Sequence, residues 1–305
     1  MDEVITYPVS AIIPTYKRAA VLAKTLNSLA AQSALPAEII IVDAGDYEAT
    51  ALETSNIFPV AVNIRVVKAE KKGAAAQRVT GLSYASCPYI LFMDDDIEFY
   101  PDCIHQLWMN LQAKQAGGVN ALVINQQFSE PGKITRTLYK LLGGGKLSSF
   151  AGKCFGPAIN LLTNKETGDS DAIPVDWLNT TCTLYPKAVL PEPLFPAVFD
   201  GYSFMEDVAL SIEIGKKHPL YTIKTAVIFH DSQPGNDKSN LARMAEMDLV
   251  NRHYIMRHVM NKKGVLPLLQ LAGFQMFGAV AGKQILQPAF WKGKWRGVQK
   301  IWRSK

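Results

Sequence analysis

Tyr89-Ile90-Leu91-Phe92-Met93-Asp94-Asp95-Asp96 sets five uninterrupted apolar residues directly before three carboxylates. A short continuous apolar run reads as a strand buried on both faces, the form strands take in parallel sheets. The acidic triplet then falls where the strand ends, and open α/β sheets bind ligands at that edge. Adjacent negative charges repel unless a cation neutralises them, and carboxylates are the donors that Mg²⁺ and Mn²⁺ prefer. A solvated acidic turn is the plainer alternative. The buried strand before the triplet favours a metal–phosphate site, as does the approach to a helix expected over Ile97-Glu98-Phe99-Tyr100-Pro101.

Outward from this stretch, strand and helix signals alternate. Residues 9–13 read as a buried strand ended by Pro14, and 19–32 as a helix with Leu22, Leu26 and Leu29 on one face. Residues 38–42 form a second strand stopped by Asp43-Ala44-Gly45-Asp46. A third covers 62–67, followed by Gly73 and a helix to about 86. After the strand at 89–93 come a helix over 101–114 and a fifth strand over 118–124. Repeated β-α units of this length demand parallel strands with right-handed crossovers. The expected fold class is therefore α/β: a Rossmann-like, mostly parallel sheet flanked by helices, with a C-terminal helical extension. Residues 126–176, with Gly143-Gly144-Gly145 and no clear period, read as a functional loop or a small helical insertion. Beyond them a helix is expected over 206–217, a strand over 221–229 and a helix over 239–261.

Composition narrows the class. The chain has 305 residues, 48% of them hydrophobic, enough for a large core. Its four cysteines show no paired or metal-ligand spacing, which points to a reducing compartment. Met1-Asp2-Glu3-Val4 lacks the pattern of an export signal, so a cytoplasmic place is expected. The net charge of +5 is uneven: residues 262–305 hold nine Lys/Arg and no acid, leaving the rest at −4. Trp291, Trp295 and Trp302 interleave with these cations, a composition suited to an anionic membrane surface and peripheral attachment at its inner face. Nucleic-acid binding is disfavoured by the acidic remainder. Residues 264–282 are uncharged and near the length of a membrane span, but Pro267, Gln270, Gln275 and four glycines point to an interfacial element. A helical pair closing the core is an equal alternative.

Neither GxxxxGK[ST] nor GxGxxG occurs, so P-loop and dinucleotide chemistry lose their main support. GxSxG and HExxH are absent too. What the chain does place at successive strand ends is Thr15-Tyr16-Lys17-Arg18, Asp43 and Asp94 to Asp96, with Arg78 on an intervening helix. In a parallel sheet these converge on one edge. Singly, each is equally a cap, a turn residue or a surface cation.

Ala11-Ile12-Ile13-Pro14-Thr15-Tyr16-Lys17-Arg18, Ile41-Val42-Asp43-Ala44-Gly45, Gly73 to Arg78, Phe92-Met93-Asp94-Asp95-Asp96 and Phe204-Met205-Glu206-Asp207-Val208-Ala209-Leu210, in that order, resemble the family-2 glycosyltransferases of the GT-A fold. The resemblance covers about residues 7–260. It implies a nucleotide-diphosphate sugar as donor, UDP- or dTDP-linked by preference. Pro14, Thr15, Tyr16, Arg18 and Asp43 would frame base and ribose, and Asp94 or Asp95 would touch the ribose. Arg78 would lie near the phosphates, and Asp96 would hold a divalent cation, Mn²⁺ or Mg²⁺. Asp207 is the implied general base, with Glu206 orienting the acceptor, although carboxylates also favour a helix start on dipole grounds alone. His230 either completes the metal site or simply ends a strand. Trp177 either faces the acceptor or belongs to the core.

Two departures qualify the likeness. Ala44 stands where a second acidic residue is usual, and no QxxRW motif follows Asp207, which favours transfer of a single sugar. The expected organisation is a catalytic domain over 1–261, its nucleotide-sugar half at 1–125 and its acceptor half at 126–261, with a basic, aromatic helical tail over 262–305. The expected reaction is metal-dependent, inverting transfer to a glycan or lipid-linked saccharide in bacterial cell-surface polysaccharide synthesis. A sugar-phosphate nucleotidyltransferase and a non-catalytic membrane scaffold of the same fold are the rivals.

Overall fold

The computed structural model describes residues 5–54, 56–58, 62–126, 128–168, 170–199, 201, 203–232 and 240–303. Met1 to Val4, Ser239 and the last two residues of the tail lie outside them.

The first half runs β1 (Ile5–Thr15), α1 (Ala19–Ala30), β2 (Ala34–Asp43), α2 (Tyr47–Thr54) and β3 (Asn63–Lys68). It continues through α3 (Ala74–Tyr84), β4 (Tyr89–Met93), β5 (Ile97–Phe99), α4 (Cys103–Lys114) and β6 (Gly118–Val123). An insertion follows, with α5 (Lys133–Tyr139), a wide turn at Lys140–Gly144 and the hairpin of β7 (Cys154–Phe155) with β8 (Ile159–Asn160). Then come β9 (Ala172–Val175), β10 (Cys182–Pro186), α6 (Glu206–Gly215) and β11 (Leu220–His230). Three helices close the chain: α7 (Leu241–Tyr254), α8 (Val265–Ala281) and α9 (Pro288–Arg303).

Nine strands make one sheet in the order β3-β2-β1-β4-β10-β6-β11-β5, with β9 on β11. Strands β1 to β4, β6 and β11 are parallel, whereas β10, β5 and β9 run against them. The chain winds from β1 out to β3, then returns to lay β4 on the other side of β1. That reversal opens a crevice at the C-terminal ends of β1 and β4, the place where such sheets take ligands.

The apolar runs are continuous because both faces are covered. Ala11, Ile13, Ile41, Leu91 and Met93 pack under Leu22, Leu26 and Leu29 of α1 and Ile104 and Leu107 of α4. Their neighbours Ile12, Ile40, Val42, Ile90 and Phe92 point the other way, against Ala75 of α3 and Leu210 and Ile214 of α6. Alternation along each strand divides the two cores. Each fully buried Leu or Ile contributes about 1.5–3 kcal/mol.

Three expectations need correction. Ile97–Phe99 is not the approach to a helix but a short strand, paired antiparallel with the end of β11. Residues 126–176 are neither one loop nor a simple helical insertion: Leu142, Phe150, Phe155 and Ile159 give them a small core of their own. The helix expected to reach 261 leaves regular α geometry after Tyr254. In the tail a helical pair forms, with Phe290 and Ala279 buried beside Ala245 of α7, while its outer apolar residues stay exposed. No helix among the described residues is long and apolar enough to cross a membrane.

Candidate functional site

At the β1/β4 crevice the end of β1 grips the acidic turn. The Thr15 hydroxyl donates to Asp95 Oδ2 at 2.6 Å, and Arg18 Nη1 reaches Asp95 Oδ1 at 3.2 Å and Asp96 Oδ2 at 3.4 Å. From α1, Thr25 donates to the Asp95 carbonyl at 2.8 Å and accepts from Ile97 N at 3.1 Å, so the turn is pinned on both sides. Burial pushes the Asp95 carboxyl up to about 6; Asp96 and Asp94 add to this, while the Thr15 hydroxyl and Arg18 oppose it.

The strand β5 delivers the histidine. Pairing of His230 with Ile97 brings the end of β11 beside the triplet. His230 Nε2 lies 3.0 Å from Asp96 Oδ1 and 4.0 Å from Asp94 Oδ2, and the other ring nitrogen is 2.9 Å from the Gln126 side-chain amide. One ligand atom each from Asp94, Asp96 and His230 falls within 4.8 Å of the others. Two carboxylates and an imidazole held from behind by an amide make a donor set that fits Mn²⁺ or Mg²⁺. Asp94 thus stands with the metal-type ligands, whereas Asp95 is tied to Thr15 and Arg18.

Arg78, almost fully buried, bridges the two halves of the site. Its Nη2 is 2.7 Å from Asp94 Oδ1 and its Nη1 3.2 Å from Glu206 Oε1. Glu206 and Asp207 open α6, where the unpaired backbone N–H groups favour negative charge. Ser203 and Met205, just before them, hold left-handed φ of 57° and 71°. Such residues store about 1–3 kcal/mol each and cluster at functional sites. Burial pushes Glu206 up to about 8, helped by Asp207 and opposed by Arg78. Burial also raises Asp207, to about 6, against the hydrogen bond its Oδ1 accepts from Val208 N at 2.8 Å.

These groups share one cavity of about 1050 Å³. It is lined by every candidate site residue named from the sequence except Asp43: Pro14, Thr15, Tyr16, Arg18, Arg78, Asp94, Asp95, Asp96, Trp177, Glu206, Asp207 and His230. Pockets for drug-sized ligands span roughly 300–1,000 Å³, so a sugar nucleotide has room. Asp43 is instead fully buried, accepting from Gly45 N and the Thr50 hydroxyl to hold the turn after β2. Trp177 serves both readings made of it: it lines the cavity, packs with Phe199 and Met205, and donates Nε1–H to the Leu161 carbonyl.

Sequence reasoning missed Gln77, Lys72 and Arg243, which line the same cavity. Gln77 donates to the Thr15 and Val42 carbonyls at 2.8 and 2.7 Å and accepts from Gly73 N, lashing the ends of β1 and β2 to the start of α3. Lys72 lies 3.6 Å from the Tyr16 ring centroid. Gly73, at φ +138°, has the Gly201 carbonyl 2.3 Å from where a Cβ would sit, so only glycine lets the two walls approach. No local pattern marks Arg243; Gln77 lies inside the Gly73-to-Arg78 motif without having been singled out, and Lys72 directly precedes that motif.

A family model described as Glycosyl transferase family 2 matches residues 10–172, more than half of the chain. The chain belongs to glycosyl transferase family 2. A Haemophilus influenzae protein named as an uncharacterized glycosyltransferase is 37% identical over 93 residues, 30% of this chain and 31% of the relative. The glycosyltransferase YwdF of Bacillus subtilis, also uncharacterized by name, is 36% identical over 101 residues, 32% and 36% of the two chains. The chain thus spans about a third of the length of these relatives. Among solved structures, S. aureus TarS 1-349 in complex with UDP-GlcNAc aligns over 93% of this chain and 79% of its own, with TM-score 0.59 and 16% identity. The mannosyltransferase PcManGT from Pyrobaculum calidifontis, in complex with GDP-Man and Mn2+, aligns over 98% and 88% with TM-score 0.55 and 15% identity. At that identity the likeness is one of fold, and the fold is GT-A.

Proposed function

We propose that this family-2 chain is a metal-dependent, inverting glycosyltransferase that moves a single sugar from a nucleoside-diphosphate sugar to a saccharide hydroxyl. The observation that carries the reading is the sharing of one cavity by the Asp94–Asp96–His230 cluster and Asp207. Asp94, Asp96 and His230 would hold a divalent cation, Mn²⁺ or Mg²⁺, which when bound neutralises charge developing on a departing diphosphate. Thr15, Tyr16, Arg18 and Asp95 form the donor wall, with Pro14 and the Asp43 turn behind them. Arg78 fixes Asp94 on that wall and Glu206 on the opposite one, so the spacing between donor and acceptor is set by one guanidinium.

Asp207 takes the proton of the acceptor hydroxyl. Attack from that side expels the nucleoside diphosphate directly and inverts the anomeric centre. Glu206 and Trp177 orient the acceptor, a glycan or lipid-linked saccharide of a bacterial cell surface, at the cytoplasmic face of the membrane. The donor is UDP- or dTDP-linked. The two solved complexes support the donor class through their ligands, and Mn²⁺ in one of them supports the cation.

The test separates binding from chemistry. With a panel of sugar nucleotides and Mn²⁺, thermal shift identifies the donor, and NMR of the product reads the anomeric configuration. Asp207→Asn is expected to keep the donor-induced shift and lose transfer by about 10²–10⁴-fold. Unchanged turnover in that variant removes Asp207 as the base, and a retained configuration removes single displacement.

A further inference from the structure

Outside the cleft, exposed apolar side chains concentrate in one region. Among the described residues, twelve of the 23 large hydrophobics left exposed lie between Val265 and Trp302. On α9 they are sorted by face. Phe290, Gly293, Lys294 and Gly297 turn inward, whereas Trp291, Trp295, Val298 and Trp302 recur every three or four residues on the outside. Lys292, Arg296 and Arg303 are exposed beside that stripe. Leu266 and Leu269 are exposed on α8, which the Lys294–Gln275 hydrogen bond ties to α9. The insertion joins it, because the Gln270 side chain of α8 donates to the carbonyl of exposed Leu141 at 3.4 Å.

We propose that this face docks the protein on an anionic lipid surface, with α9 lying in the plane of the headgroups. Acyl chains would take the tryptophan stripe while Lys and Arg reach outward to phosphate, their aliphatic stems lying along the apolar boundary. A second copy is the weaker occupant. A two-fold contact sets a patch against itself. It would therefore bring the cations of one copy onto those of the other, with no acid between 262 and 305 to pair them. Headgroup phosphate supplies the missing charge.

The same face backs onto the acceptor side of the cleft. Phe274 of α8 packs with Leu142, Phe150 and Phe155 of the insertion, whose Asn160 lines the cavity. An acceptor carried in the lipid would therefore meet the enzyme from its docked side. That last step rests on the sugar-transfer reading; the docking itself does not.

Sedimentation of the full chain with phosphatidylcholine vesicles, with and without phosphatidylglycerol, tests the docking without any donor. Binding is expected only with phosphatidylglycerol, together with a blue shift of tryptophan emission. Joint Lys292→Gln, Arg296→Gln and Arg303→Gln should weaken it roughly a hundredfold, at about fivefold per charge. Joint Trp295→Ser and Trp302→Ser should abolish what survives at high salt, with an unchanged thermal melt showing that the fold is intact. Equal partition onto both vesicle types overturns the proposal, as does undiminished binding by the variants. A concentration-dependent dimer that the tryptophan variant dissolves overturns it as well, and gives the face to a second copy. Donor thermal shifts measured alongside keep the sugar-transfer reading separately testable.

Discussion

Glu206 and Asp207 are sequence neighbours with different surroundings. Glu206 is buried against Arg78, and its carboxyl is held up to about 8; Asp207, half-buried at the cavity, is raised to about 6. Burial raises both carboxyls, Glu206 further than Asp207, an ordering that suits an ionised base beside a protonated neighbour. A base works only when ionised, so kcat/KM should rise with pH through about 6 and level off above it. Glu206→Gln should keep that limb in place, because a carboxyl already protonated there contributes no titration; a limb that moves in this variant assigns the base to Glu206 instead. The acidic triplet was legible in the sequence, since charge directly after an apolar run stands out, whereas Glu206 and Asp207 were marked only by the family resemblance. The role of Gln77, inside the Gly73-to-Arg78 motif, was not legible: its three partners are backbone groups of β1, β2 and the start of α3, and nothing in its own neighbourhood names them.

Strand β4 was legible to the residue, because five apolar side chains between Pro88 and Asp94 have no other use than burial on both faces. Strand β5 was not, because three residues carry too little pattern and its partner β11 lies more than a hundred residues on. That omission hid the delivery of His230 to the triplet. Helix α9 shows the same dependence on distant partners. Nothing local in the sequence marks Gly293, yet a Cβ there would sit 2.1 Å from the Ala242 carbonyl of α7. Gly293→Ala should therefore destabilise by about 1–3 kcal/mol through forced separation of the helices, although alanine is the better helix former. Gly278→Ala on α8, where nothing lies within 4 Å, should move the other way by about 0.5–1 kcal/mol. Denaturant melts of the pair decide the matter, and equal effects would mean that α9 does not seat on α7.

For the whole molecule, one carboxylate ties both tail helices to the catalytic body. Asp248 of α7 takes Arg252 Nε at 2.7 Å, Lys294 Nζ of α9 at 3.0 Å and the Gln275 amide of α8 at 2.8 Å. Burial alone would raise its carboxyl, but Arg252 and Lys294 outweigh burial and hold it at about 2. A carboxyl depressed in the folded state contributes stability above its unfolded pKa, near 3.9, and loses it as pH falls through the folded value. Asp248→Asn should then cost about 2 kcal/mol at pH 7, a cost that shrinks between pH 4 and 2 as the wild-type carboxyl takes up its proton. Urea melts of both proteins across that range measure the difference directly. A gap that stays constant down to pH 2 would mean that the charge of Asp248 is not what binds the three helices. α9 would then rest on the packing of Phe290 and Gly293 and on the Lys300–Glu246 pair, and Gly293→Ala would loosen it while leaving the cleft intact.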